Sequence, residues 1–135
     1  MKHKGLFLDD ERVPSDVTWV DYLDSIEWTV VRTYAEFLEH MKMGVYSYYS
    51  FDHDIQDFYT IPKGTLLAET AFGSAYAEED IQYEYTGYDA SVALCEHINN
   101  SLTHCTVLGS YIHSKNPIGS QNIRNCLGGV LDNLN

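Results

Sequence analysis

Basic residues are scarce in this chain. Only 8 Lys and Arg face 20 Asp and Glu, a formal net charge of −12 over 135 residues. A surface this acidic repels the phosphate backbone of DNA or RNA, whose binding needs several Lys or Arg contacts, so a long nucleic-acid partner is not expected. Cysteine is scarce as well. Cys95, Cys105 and Cys126 are odd in number and form no CxxC pair, which argues against a disulfide framework or a cysteine zinc site and for reduced thiols. No apolar run is long enough to span a bilayer. The three apolar residues after Met1-Lys2-His3-Lys4-Gly5 are too few for the core of a signal peptide. The expectation is a cytoplasmic protein with no membrane partner, folded as one domain over residues 1–135, since this length supports one core better than two.

The charge that is present collects at the ends of apolar runs. Gly5-Leu6-Phe7-Leu8 reads as a buried first strand ending in Asp9-Asp10. Val17–Ile26 carries Trp19, Val20, Leu23 and Ile26 at the spacing of one helical face, so a short helix is expected there. Trp28–Thr33, rich in β-branched residues, is the second strand. Thr33 then caps a helix from Tyr34 to about Met43, with Glu36 completing a capping box and Gly44 as the stop. The third strand, Val45–Phe51, delivers Asp52-His53-Asp54.

Residues 55–85 break this rhythm and are too long for an ordinary loop, so they read as an insertion after the third strand, a hairpin or lid. Thr86 and Asp89 cap the next helix, whose stripe is Leu94, Cys95, Ile98 and Leu102. Thr106–Ile112 is a fourth strand carrying His113-Ser114 at its tip, and a last helix begins near Pro117 or Gly119, burying Ile123, Leu127 and Val130 or Leu131. Strands alternating with helices imply a parallel sheet. Functional groups of such sheets gather at the carboxyl ends of the strands, where the acids, Asp52-His53-Asp54 and His113-Ser114 all fall.

Each of these groups has a chemical use and a plainer alternative. Asp9, Asp10, Asp52 and Asp54 brought to one edge raise one another's pKa unless a cation compensates, and hard oxygen ligands suit Mg²⁺ or Mn²⁺; the alternative is a set of solvated carboxylates. Alternation in an extended segment puts Asp52 and Asp54 on one side and His53 on the other. His53 and His113 titrate near neutrality and could move a proton, or else orient the acids. Arg12 could clamp a phosphate bidentately or form an internal salt bridge to Glu11 or Asp54. Ser114, Asn116 and the amides up to Gly119 offer an anion site at a helix N-terminus, or ordinary capping. Tyr76, Tyr83, Tyr85 and Tyr88 could stack on a base, or lie half-buried at the surface.

The blocks LFLDDERVP, SFDHDI, TGYD and HSKNPIGSQNI occur in that order along the chain. Together they resemble the cyclic-phosphate-processing receiver-like family, a branch of the receiver (response-regulator) fold. The resemblance implies an α/β, flavodoxin-like, three-layer fold with a short parallel sheet of order 2-1-3-4. It lacks the fifth strand and the lysine that ordinary receivers carry at its tip, which disfavours phosphorelay. It also implies that Asp9, Asp10, Asp52 and Asp54 hold a divalent cation and that Asp52, His53 and His113 do chemistry. Arg12, Tyr88, Asp89, Ser114, Asn116, Gly119 and Asn122 would then contact substrate. The leading reading is a metal-assisted phosphoesterase or binder of a small cyclic-phosphate nucleotide, either a cyclic nucleotide or a 2′,3′-cyclic phosphate. The rivals are a module that sequesters such a nucleotide intact, and a protein-interaction domain working through residues 55–85, which could also join two copies of the chain.

Overall fold

The computed structural model describes residues 2–100 and 107–131. Leu102 and Thr106, expected in a helix stripe and a strand, lie outside them, as do the side chains of Val130 and Leu131. Four strands form one parallel sheet: β1 (His3–Leu8), β2 (Ile26–Val31), β3 (Tyr48–Phe51) and, after the arm described below, β8 (Gly109–Ile112). Their order is β2-β1-β3-β8, with Leu6 opposite Tyr49, Leu8 opposite Phe51 and Phe51 opposite Ile112. This α/β receiver-like order is the expected one.

Strand alternation sends Leu6, Leu8, Tyr49 and Phe51 to one face. There they join Phe37 and Met41 of α1 (Tyr34–Met41), Leu94 and Ile98 of α2 (Gly87–Asn100), and Ile123 and Leu127 of α3 (Pro117–Leu131) in one apolar core. Helices α1 and α2 start where polar side chains supply the partners that their first N–H groups lack. The Glu36 N–H donates to Thr33 Oγ1 at 3.1 Å, and the Tyr88 N–H to Thr86 Oγ1 at 3.2 Å, while Asp89 Oδ2 accepts from the Thr86 N–H at 2.8 Å. Gly44 ends the α1 turn with φ +71°, a conformation costly for any residue with a Cβ.

The other face carries Phe7, Trp28 and Tyr111, and here the expected helix over Val17–Ile26 does not form. A single 3₁₀ turn, Pro14–Asp16, is followed by irregular chain up to β2, which itself begins at Ile26. Val17, Thr18 and Val20 are β-branched, and Asp16, Asp21, Asp24 and Ser25 compete for backbone hydrogen bonds, so helix propensity is poor. The apolar residues pack one at a time instead: the Tyr22 ring meets Trp28 at 5.1 Å, Tyr111 at 4.8 Å and Phe7 at 6.3 Å. The third layer is thus an extended aromatic strap.

Residues 57–85 form an arm of two nested antiparallel pairs, β4 (Asp57–Ile61) with β7 (Ile81–Tyr85) and, further out, β5 (Leu66–Thr70) with β6 (Gly73–Tyr76). A hairpin was one of the two expected forms. Its root is fixed to α1: Asp57 Oδ2 accepts the Tyr34 N–H at 2.8 Å, and the Tyr34 and Tyr85 rings stack at 4.3 Å.

Candidate functional site

Three chain segments meet beyond the carboxyl ends of β1, β3 and β8. Asp9 follows β1 and is wholly buried. One of its oxygens accepts the Glu11 and Arg12 N–H groups, each at 2.9 Å, and the other accepts His113 Nε2 and Arg12 Nε, each at 3.0 Å. Burial alone would raise this carboxyl, but the bonds from His113 and the two amides, with the charge of Arg12, hold it at about 2. Asp9 is therefore ionised throughout the physiological range and can only accept hydrogen bonds.

His113 Nε2–H donates to Asp9 and opens a buried hydrogen-bonded chain: His113 Nδ1 lies 2.7 Å from Ser50 Oγ, and Ser50 Oγ lies 2.7 Å from Tyr22 Oη. Burial pushes the Tyr22 hydroxyl up to about 12, which keeps it a donor. The His113 ring has no exposed surface and lies flat on Phe7, 4.3 Å between centroids and 6° between planes. With both nitrogens engaged, His113 reaches the cleft only through Asp9.

Asp52, after β3, is the other buried acid, 3% exposed. Its Oδ1 accepts the His53 N–H at 2.9 Å and its Oδ2 meets Arg12 Nη2 at 3.2 Å. Burial and then the charge of Asp9 raise its pKa, with His113 and Arg12 opposing. Asp10 is raised as well, by burial and by the neighbouring Asp9 and Glu11 charges. Arg12 thus bridges Asp9 and Asp52, not Glu11 or Asp54 as the sequence alternatives had it. Arg32 holds the loop from beneath, donating to the carbonyls of Asp9 at 3.2 Å and Arg12 at 2.8 Å.

Over these groups opens a cleft of about 450 Å³. The acids Asp10, Asp52 and Asp54, the cations Arg12 and Lys115, and the polar Ser114, Asn116 and Gln56, the last at φ +52°, line it. Trp19 organises its cationic rim. The Arg12 guanidinium lies 5.2 Å and the Lys115 ammonium 4.2 Å from the ring centroid, and the indole N–H donates to the His113 carbonyl at 2.8 Å. His53 Nδ1 bonds Asp54 Oδ1 at 2.8 Å, and Asn116 Nδ2 lies 3.4 Å from Asp54 Oδ2. Asn116 Oδ1 caps α3 through the Gly119 N–H at 2.9 Å, and the Asn116 N–H donates to Ser114 Oγ at 3.1 Å.

Two glycines let the helices approach. A Cβ on Gly87 would overlap the Asp52 carbonyl, and one on Gly119 would overlap the His53 ring. Asp89 stays in its capping role and does not line the cleft. Tyr88 and Asn122 line a separate cavity of about 520 Å³ with Asn125 and Cys126. Sequence reasoning overlooked Trp19, Tyr22, Arg32, Ser50, Gln56 and Lys115. An exposed tryptophan in an acid- and serine-rich stretch was the one available signal among them.

Asp9, Asp52 and His113 offer ligand atoms within 4.8 Å of one another and could hold a metal ion. Among the described residues no buried side-chain polar atom lacks a partner. An ion seated on all three would therefore displace Arg12 and break the His113–Asp9 bond. Asp10 and Asp52, both with raised carboxyls, also line one cleft.

Fold and site define a receiver-like α/β protein with an acidic pocket at the carboxyl edge of its sheet. The chain belongs to the cyclic-phosphate processing receiver domain family, whose model matches residues 4–129. No curated protein and no solved structure matches it. No helix among the described residues is long and apolar enough to cross a membrane.

Proposed function

We propose that the chain binds a small cyclic-phosphate nucleotide in the cleft and hydrolyses it to a monoester. The carrying observation is the pairing in one cleft of under-compensated acids, Asp10 and Asp52, with two cations, Arg12 and Lys115, braced on Trp19. Acids of that kind attract a divalent ion, while the cations suit phosphate oxygens. Asp10 and Asp52 would hold Mg²⁺ or Mn²⁺, which supplies Lewis-acid polarisation of a phosphoryl oxygen.

This chain's own groups do the rest. Arg12 and Lys115 bind the non-bridging oxygens and offset charge as it grows on phosphorus. Asp54, at the cleft surface and bonded to His53, takes the proton of the attacking water. Attack at phosphorus breaks one of the two ester bonds, and the departing sugar oxygen takes a proton from solvent, leaving a free hydroxyl and a phosphate monoester as the ring opens. Asp9 and His113 hold Arg12 in place rather than touch substrate. Incubation of cyclic mono-, di- and oligonucleotides and 2′,3′-cyclic phosphates with protein and Mn²⁺, followed by chromatography, tests this reading. A ring-opened monoester is expected from one class. Ligand recovered intact from a stable complex would instead establish sequestration, and neither binding nor turnover would remove the proposal.

A further inference from the structure

Outside the cleft, two nucleophiles take no part in the proposed chemistry. Cys95 of α2 and Cys126 of α3 stand 31 residues apart with their sulfurs 3.5 Å from each other, and the Cys95 thiol also points at the Cys126 carbonyl, 3.6 Å away. We propose that this pair is an oxidative modification site, closed to an intrachain disulfide by hydroperoxides. A disulfide needs about 2.05 Å between sulfurs, so closure is a movement of about 1.5 Å. Side-chain rotation and a small helix shift supply movements of that size.

The two thiols are not equivalent. Cys126 is half-buried and borders the cavity of about 520 Å³ that it shares with Tyr88, Asn122 and Asn125, large enough to admit a small hydroperoxide. Cys95 is buried in the core beside Leu94 and Ile98, and that burial pushes its thiol up to about 12. It stays protonated and shielded. Cys126 sulfur therefore attacks the peroxide O–O bond, forming a sulfenic acid and releasing water or an alcohol. Cys95 sulfur then attacks the sulfenic sulfur, loses its proton and expels water. Two thiols and one hydroperoxide yield one disulfide with no other reactant.

The consequence is positional. α2 begins at Gly87 against Asp52, and α3 carries Gly119 against His53. A bond between the helices clamps the two elements that press on the strand end of the cleft.

The test exposes the full chain to stoichiometric hydrogen peroxide, then unfolds it, alkylates the remaining thiols and maps peptides without reduction. The expected result is loss of two of the three thiols of the sequence, a mass lower by two hydrogens, and a dithiothreitol-reversible Cys95–Cys126 peptide. The Cys105→Ser variant should give the same product. Cys126→Ser should leave Cys95 alkylatable after the same exposure. The inference is overturned if Cys126 advances to sulfinic or sulfonic acid beside a free Cys95, if both remain alkylatable, or if Cys105 forms the cross-link.

Discussion

His113 and Asp9, 104 residues apart, share a 3.0 Å hydrogen bond between two side chains that have no contact with solvent. The bond ties the end of the last parallel strand to the end of the first. Because it fixes Asp9, it also fixes Arg12, the residue that reaches the second buried acid.

Asp9→Asn should weaken the fold in a pH-dependent way. Its carboxyl lies at about 2 against an ordinary 3.8, a displacement worth about 2.5 kcal/mol. A lowered value means that this stability is fully present above pH ~4 and is lost as pH falls towards 2. Urea denaturation from pH 7 to pH 2 should show the wild-type advantage over Asp9→Asn shrinking over that window. A constant difference would show that Asp9 is not held ionised by its partners.

Asp52→Asn should behave in the opposite sense. Its carboxyl is raised by burial and Asp9, so in the absence of metal its contribution is present below its unfolded value and declines as pH rises through the folded one. At neutral pH the metal-free variant is expected to melt above the wild type. Added Mn²⁺ should raise the wild-type melting temperature and leave the variant unmoved, as calorimetry with and without chelator would show.

Trp19→Leu removes the surface that braces Arg12 and Lys115. Each cation–ring contact contributes about 0.5–1 kcal/mol, and together they make about a tenfold loss in affinity for a cyclic-phosphate ligand by titration calorimetry. Trp19→Phe keeps a ring and should recover most of it. Equal affinity in all three proteins would remove Trp19 from the site.

Gly87→Ala opposes two effects. Gly87 is the first residue of α2, where alanine's helical advantage over glycine is below its interior value of about 1 kcal/mol, and a Cβ here overlaps the Asp52 carbonyl and must shift backbone. Overpacking of this kind costs about 1–3 kcal/mol, so net destabilisation is expected, together with weaker ligand binding. A stabilised Gly87→Ala protein would show that the helix and the strand end are free to separate.

The parts of this architecture legible in the sequence are those set by local physics. Apolar runs ending in Asp9-Asp10, in Asp52 and in His113 mark strand tips, and Thr33 and Thr86 mark helix starts through their own side chains. The strap was misread because Trp19, Val20, Leu23 and Ile26 have helical spacing, whereas Trp19 bonds the distant His113 carbonyl, Leu23 is exposed and Ile26 opens β2. The buried hydrogen-bonded chain escaped for a related reason. Nothing near Ser50 in sequence announces a histidine 63 positions away, and nothing near Tyr22 a serine 28 positions away. Arg12 was recognised as a phosphate clamp or a salt-bridge partner, but the acids considered for the salt bridge were the exposed Glu11 and Asp54 rather than the buried pair that it meets.

The strap also gives the protein an optical reporter of its own. Of the two tryptophans in the chain, Trp28 packs among aromatic rings, whereas Trp19 is 41% exposed with two cations against its face. Positive charge beside an indole shifts its emission, so an anion that draws Arg12 or Lys115 away changes the fluorescence without any label. Occupancy of the cleft can then be followed in native protein, in real time, at wavelengths where the eleven tyrosines are silent.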